Sequence, residues 1–285
     1  MRILLTNRSL GHYWGTETWT REMAKELSKE HDVTVLTCEL GKVSNEIKNF
    51  AKVVTFYDGD YDFAIVNHID TFLRLPAELP KIFTSHSAFL ECESFPEGCI
   101  KIGVTEETAK GNRVIRNGFD LDHFKPTKVN KELKTILYLC NPIYQGGQEI
   151  MKEACGDDYE LLLIERETSD VKPLIDKADL VVGFGRGLME AMCSGKNVLS
   201  ADWRITYMDG MCGAGMVTED NFGELKLTNF TGRPDQIRFT PETLREEFKK
   251  YDPTRSLRKR MEDEFDIKKN AQEYINLYKN EYNIS

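Results

Sequence analysis

The chain of 285 residues has few covalent or metal staples to draw on. It carries seven cysteines, at positions 38, 92, 99, 140, 155, 193 and 212, an odd number with no C-x-x-C pair. Neither a disulfide framework nor a thiolate zinc site is indicated, and the cysteines are read as buried or inert. No apolar run approaches the ~18 residues of a membrane span. No repeat or low-complexity segment is visible. The opening MRILLTN runs straight into a strand pattern and lacks the apolar centre and cleavage site of a signal peptide, so the expected location is cytoplasmic. Basic charge is in deficit: 38 Lys and Arg stand against 47 Asp and Glu, a net charge of −9. That balance argues against a general polyanion-binding surface and disfavours, without excluding, a nucleic-acid partner. The one dense basic stretch, Arg255 to Arg260, is followed by Glu262, Asp263 and Glu264 and reads first as a solvated helix start. A peripheral membrane or nucleic-acid contact there is the alternative.

What remains is an ordinary soluble composition, 40% hydrophobic and 30% charged. The length suggests about two domains, with cores large enough to stand without cross-links. Short apolar runs alternate with amphipathic stretches. Strands are expected at Ile3–Thr6, Val33–Thr37, Val53–Phe56, Phe63–Asn67, Lys81–Thr84 and Ile100–Val104, with a helix at Glu17–Ser28 burying Met23, Ala24 and Leu27. Gly118–Leu133 has no periodicity and reads as a linker. The alternation then restarts with strands Thr135–Leu139, Glu160–Ile164, Leu180–Val182 and Asn197–Ser200, separated by helices Gly147–Ala154, Lys172–Ala178 and Gly187–Ser194. Helices Thr240–Tyr251 and Ser256–Lys279 close the chain. This β-α-β order predicts parallel sheets covered on both faces, in two Rossmann-like domains with a cleft between them.

Two stretches are the most informative: Val114–Pro126 (VIRNGFDLDHFKP) and Ala178–Asp202 (ADLVVGFGRGLMEAMCSGKNVLSAD). The second reads as a strand, a glycine-broken turn through Gly185, Arg186 and Gly187, and a helix opening at Gly187 with Glu190 in its first turn. Such a turn aims backbone N–H groups and the positive end of a helix at one point, which suits a phosphate. A carboxylate close by can accept hydrogen bonds from two neighbouring hydroxyls, as in a ribose. Plainer readings are a tight turn and a glutamate complementing the helix dipole.

Both stretches resemble signature blocks of the retaining GT-B glycosyltransferases of family 4: the first the block "NGvDxxxF.P", the second the block "E-x-F-G-x-x-x-x-E-A-M-A-x-G-x-P-V". The N-terminal strand–loop–helix–strand and the final FDIKKNAQEYINLY are similar to that family as well, so the resemblance spans nearly the whole chain. It implies an α/β GT-B fold, with an acceptor-side domain over 1–125, a nucleotide-sugar-binding domain over 126–255, and a C-terminal helix over 256–285 crossing back to the first. It implies a retaining, metal-independent hexosyl transfer. No cofactor is expected; a nucleotide diphosphate sugar is co-substrate, with UDP, GDP and ADP indistinguishable. The acceptor would be a glycan, a lipid-linked or a small-molecule hydroxyl. Glu190 would bind the ribose; Gly185, Arg186 and Gly187 would cradle the diphosphate, with Gly15 facing it from the other domain. His86, in Ser85-His86-Ser87, would hydrogen-bond the transferred sugar as the catalytic residue. Thr16 is a candidate N-cap for the first helix. Asn117, Gly118 and His68 are read as structural; His12, His31 and His123 as exposed or structural.

The chain departs from the family pattern twice. Val182 stands where the first glutamate of the block belongs. The turn after Thr135–Leu139 reads Cys140-Asn141-Pro142-Ile143-Tyr144-Gln145-Gly146, without the family's two basic residues. Two charge-assisted contacts of roughly 1.5–3 kcal/mol each are thereby missing, and Arg186, Arg204, Arg116 and Arg166 are the candidates to replace them. The departures motivate an alternative: a catalytically weakened protein of the same fold that binds nucleotide sugars or glycans.

Overall fold

The computed structural model describes residues 1–140, 145–164, 166–203, 210–233, 235 and 237–282. The chain divides into two compact units, one of Met1–Asp120 with Phe265–Ser285 and one of Leu121–Glu264.

Unit 1 opens with β1 (Arg2–Ser9), α1 (Gly15–Leu27), β2 (Asp32–Glu39), α2 (Lys42–Ile47), β3 (Lys52–Val54), β4 (Phe63–Val66) and α3 (Ile69–Phe72). It continues with β5 (Lys81–Ser85), a 3₁₀ turn (Glu91–Glu93), β6 (Ile100–Gly103), α4 (Glu106–Ala109) and β7 (Arg113–Val114). Its seven strands pair in the order β3-β2-β1-β4-β5-β6-β7, all parallel. The strand order reverses its winding between β1 and β4, the switch point at which open α/β sheets carry their sites, beyond the carboxyl ends of the strands. The period of two explains why β1 is buried on both faces: Ile3 and Leu5 join one core cluster, and Leu4 joins the other.

Unit 2 contains β8 (Thr135–Leu139), α5 (Gln145–Cys155), β9 (Glu160–Leu163), α6 (Lys172–Lys177), β10 (Leu180–Gly183), α7 (Gly185–Cys193) and β11 (Asn197–Asp202). β12 (Met211–Met216), α8 (Glu219–Leu225), β13 (Ile237–Phe239), α9 (Pro241–Phe248) and α10 (Arg258–Glu264) follow. The sheet order is β13-β12-β11-β10-β8-β9. It is parallel from β9 to β11, but β12 and β13 add antiparallel, a departure from the all-parallel expectation.

The last helix, α11 (Ile267–Glu281), belongs to unit 1. Tyr274, Ile275 and Tyr278 share a core cluster with Ile3, Leu5, Trp19 and Met23, and the Tyr278 ring stacks on Phe63 at 4.2 Å. The single helix expected over Ser256–Lys279 is two helices. They break at Phe265–Asp266, where Phe119 exchanges backbone hydrogen bonds with Phe265 and Ile267, and Asp266 Oδ1 caps α11 by accepting from the Lys268 N–H at 2.9 Å. Gly118 is structural as read: a Cβ there would lie 2.5 Å from Ile267 Cα.

Candidate functional site

In unit 2 the expected site residues gather on one element, but with a shifted start. α7 begins at Gly185, not Gly187, and Glu190 is its sixth residue, in the second turn rather than the first. Gly185, Arg186 and Gly187 therefore form the first helical turn. Two glycines in a row of three argue against a helix by propensity; packing overrides it. A Cβ on Gly187 would sit 2.5 Å from Leu139 Cδ2, and one on Gly183 would sit 2.7 Å from the Leu139 carbonyl oxygen, so both glycines let α7 and β10 close down on β8. Gly185 adopts φ +58°, which brings the chain out of β10 and into the helix. The N-cap, Phe184, is extended, and no side chain caps the helix. The amide end of α7 thus keeps the arrangement that favours an anion.

Glu190 is 7% exposed. Arg186 Nε lies 2.9 Å from Glu190 Oε1, one helical turn away, and both side chains are largely shielded. The sequence alone did not join these two: the arginine orients the carboxylate as well as bringing a positive charge to the helix N-terminus. At the opposite end of α7 the Arg258 guanidinium donates to the carbonyls of Cys193 (2.6 Å), Phe124 (2.7 Å) and Leu121 (3.1 Å) and pairs with Glu262 at 2.8 Å. Lys259 pairs with Asp263, and Arg260 with Glu264 and Glu219. The basic stretch is engaged in fixing α10 on unit 2.

Val182 is fully buried in the middle of β10, in one cluster with Tyr138 and Leu199, its register partners. That position faces core, so an ionised glutamate would be desolvated there rather than presented to a ligand. Of the four arginines considered as replacements for the missing charges, Arg186 holds Glu190, Arg116 pairs with Glu106 in unit 1, and Arg166 is exposed. Arg204, and the segment 141–144 of the altered turn, lie outside the described residues.

In unit 1, His86 follows directly on β5, and Gly15 is the first residue of α1 with no atom within 4 Å of where its Cβ would be. The N-cap of α1 is Trp14; the Thr16 hydroxyl, expected as a cap, instead donates to Glu17 Oε2 at 2.9 Å. Around His86 the carboxyl ends of β1, β4 and β5 converge on a polar network that the sequence did not reveal. The Thr20 hydroxyl donates to the Thr16 carbonyl at 2.8 Å. It therefore accepts from the Asn7 and Asn67 amides, at 2.9 and 3.2 Å. With its NH₂ turned to Thr20, Asn67 presents Oδ1 to His86 Nε2 at 3.1 Å. His86 Nε2 accordingly carries a proton, and in the neutral ring the lone pair is on Nδ1. The imidazole also packs edge-on against Trp19, at 4.9 Å between centroids.

Beneath it lies Glu93, whose side chain is 2% exposed. Glu93 Oε2 accepts from the backbone N–H groups of His86 and Ser87, the latter at 2.6 Å. Glu93 Oε1 lies 3.8 Å from His68 Nε2. His68 Nδ1 accepts from the Arg8 N–H at 3.3 Å, so its own proton is on Nε2, facing the carboxylate. Burial pulls the His68 pKa down to about 4, reinforced by the Arg8 charge and opposed by Asp70. Burial pushes Glu93 up to about 7, opposed by the two backbone N–H bonds and reinforced by Glu17. His68 also holds φ +72°, a strained value for a side chain of this size. The signal available in the sequence was positional: His68 lies just beyond β4 as His86 lies just beyond β5.

No family model matches the chain, and no curated protein matches it. Solved structures do. Anabaena HepE, crystallised with UDP and glucose, is 15% identical, with a TM-score of 0.62 over 97% of this chain and 99% of that one. A glycosyltransferase from Rickettsia africae is 12% identical, with a TM-score of 0.58 over 98% of each chain. A Listeria monocytogenes protein described as a UDP-N-acetylglucosamine 2-epimerase is 12% identical, with a TM-score of 0.51 over 100% of this chain and 97% of that one. The fold is the α/β GT-B fold, which these proteins share.

Proposed function

We propose that the chain transfers a sugar from a nucleotide diphosphate sugar to an acceptor hydroxyl. The observation that carries this reading is the start of α7: a helix entered through Gly185 at positive φ, without a side-chain cap, with an oriented Arg186–Glu190 pair one turn in. The amides and Arg186 bind the diphosphate and stabilise it as it leaves, and Glu190 accepts the ribose hydroxyls. In unit 1, His86 hydrogen-bonds the transferred sugar, and Gly15 gives the diphosphate close access to the α1 backbone. The likeness to a chain bound to UDP and glucose supports the donor class. We assign retention at the anomeric carbon, a hexose as the moving group, metal independence and a glycan, lipid-linked or small-molecule acceptor on the resemblance of the two signature blocks.

The test is calorimetry with UDP, GDP and ADP, then product analysis by NMR with the matching sugar donors. One nucleotide is expected to bind, and Glu190→Ala to weaken it at least tenfold; unchanged affinity in that variant removes the site. A sugar released or transferred with its configuration kept supports the reading, whereas a free or bound epimer points to the chemistry named for the Listeria protein.

Val182 in the core and the absence of basic residues from positions 140–146 favour a second reading, a nucleotide-sugar or glycan-binding protein of weakened activity. Tight nucleotide binding with no turnover of any donor is its expected result.

A further inference from the structure

The mechanism above uses His86 but gives no task to the buried Glu93 and His68 behind it. The Glu93 side chain is 2% exposed, and its two oxygens are differently employed. One accepts from two consecutive backbone N–H groups, those of His86 and Ser87; the other faces the Nε2–H of a neutral His68. We propose that Glu93 is the positioning residue for His86: when ionised its carboxylate pins the His86–Ser87 backbone at the end of β5, and when it takes up a proton that anchor slackens and the imidazole is no longer presented to the sugar. The placement of His86 for sugar transfer rests on the function proposed above; the anchoring itself does not.

The geometry supports an anchor specific to the charged form. Two N–H donors converge on one oxygen, an arrangement an anion satisfies and a neutral carboxylic acid satisfies less well. The groups around it leave the carboxylate poorly compensated. Glu17 on α1 adds negative charge, and His68 at the start of α3 is neutral. Cys92 in its own turn is also raised by burial and by the Glu93 charge. Arg8, whose charge acts on His68 and Cys92, is paired with Asp70 at 3.2 Å. The imidazole is held independently from the other side by Asn67, which is tied through Thr20 to the α1 backbone. Backbone and ring are thus fixed by two separate devices, the carboxylate of Glu93 holding the first and the Asn67 amide the second.

The experiment is an NMR titration of the backbone amides of His86 and Ser87 in the full chain, alongside the pH dependence of donor turnover. Both amides are expected to shift together with a single midpoint near 7, the value burial gives Glu93. Turnover is expected to fall about tenfold for each pH unit below that midpoint through kcat, with KM for the donor unchanged. In Glu93→Gln the shared midpoint should vanish from both records, leaving a lowered and pH-flat kcat. The proposal is overturned if the wild-type amides do not titrate together near neutrality, or if Glu93→Gln keeps the midpoint or the wild-type profile. Should the variant fail to fold, the Glu93 carboxyl carbon and the His86 ring are followed in the wild-type titration: the amides are expected to share the midpoint of the carboxyl, and amides that follow the His86 ring instead overturn the proposal. Absence of turnover with every donor, together with amides that titrate as expected, rejects the transferase reading and leaves the Glu93 anchor standing.

Discussion

At Gly15 and Gly185 the same residue type opens a helix for different reasons. Nothing lies within 4 Å of a Cβ built on Gly15, and its φ is not in the left-handed region. Gly15→Ala is expected to leave stability unchanged or raise it by up to about 1 kcal/mol in urea unfolding. Any loss of donor turnover in that variant then reports blocked approach of the diphosphate rather than damage to the fold. Gly185 holds φ +58°, with its nearest neighbour, Asn229 Nδ2, 3.5 Å from the built Cβ, so Gly185→Ala should lose about 1–2 kcal/mol through conformation alone. Glu93 and His68 give a second residue-scale expectation, in stability against pH. Glu93 rises from 4.5 to about 7 on folding, so its contribution becomes unfavourable as pH rises through that window. His68 falls from 6.5 to about 4, so its contribution is present above 6.5 and lost as pH drops toward 4. Each shift corresponds to about 3 kcal/mol, and because the windows overlap the two slopes oppose each other. Glu93→Gln should uncover the His68 slope: unfolding free energy, measured from pH 7 to 4, should fall more steeply than in the wild type.

Among the elements, α7 and α10 depend on one guanidinium. Arg258 joins the carbonyl end of α7 to the loop carbonyls of Leu121 and Phe124. A lysine has the charge but not the fork, so R258K should destabilise the chain by about 1.5–3 kcal/mol in urea unfolding. How far the sequence revealed these elements followed from their chemistry. Strands such as β1 and β8 were legible because apolar, β-favouring runs of that length have few other solutions, and the β8 bounds agree with the structure to the residue. The α7 start was misread by two positions because glycine's poor helix propensity is a local property. The Leu139 packing that overrides it comes from a strand more than forty residues earlier. β12 left no pattern: in MCGAGM, Gly213 is required by the Ser200 carbonyl oxygen, 2.1 Å from its built Cβ, so close backbone approach replaces alternation. The Glu93 network was invisible for a related reason. Its members, Asn7, the pair Asn67-His68, His86 and Glu93, are spread over 87 residues, and the strand order β1-β4-β5 with the 3₁₀ turn after β5 brings them together.

On the scale of the molecule, the two units are unequal in how their chain is laid out. Unit 2 is one continuous stretch, Leu121–Glu264, with its own six-stranded sheet. A fragment of those residues is expected to unfold cooperatively and to keep the nucleotide affinity proposed for α7. Unit 1 is split, and Tyr274, Ile275 and Tyr278 of α11 fill the same cluster as Ile3 and Trp19. A fragment of residues 1–120 should therefore lack a cooperative transition in near-ultraviolet circular dichroism.

The split also sets an order of events at the ribosome. The first hundred and twenty residues emerge with part of a core uncovered, and the helix that covers it is made only after unit 2. At ~5–20 residues per second that wait is on the order of ten seconds. Unit 2, encoded later, can finish first, so the nascent N-terminal sheet is the part of this chain most in need of a chaperone.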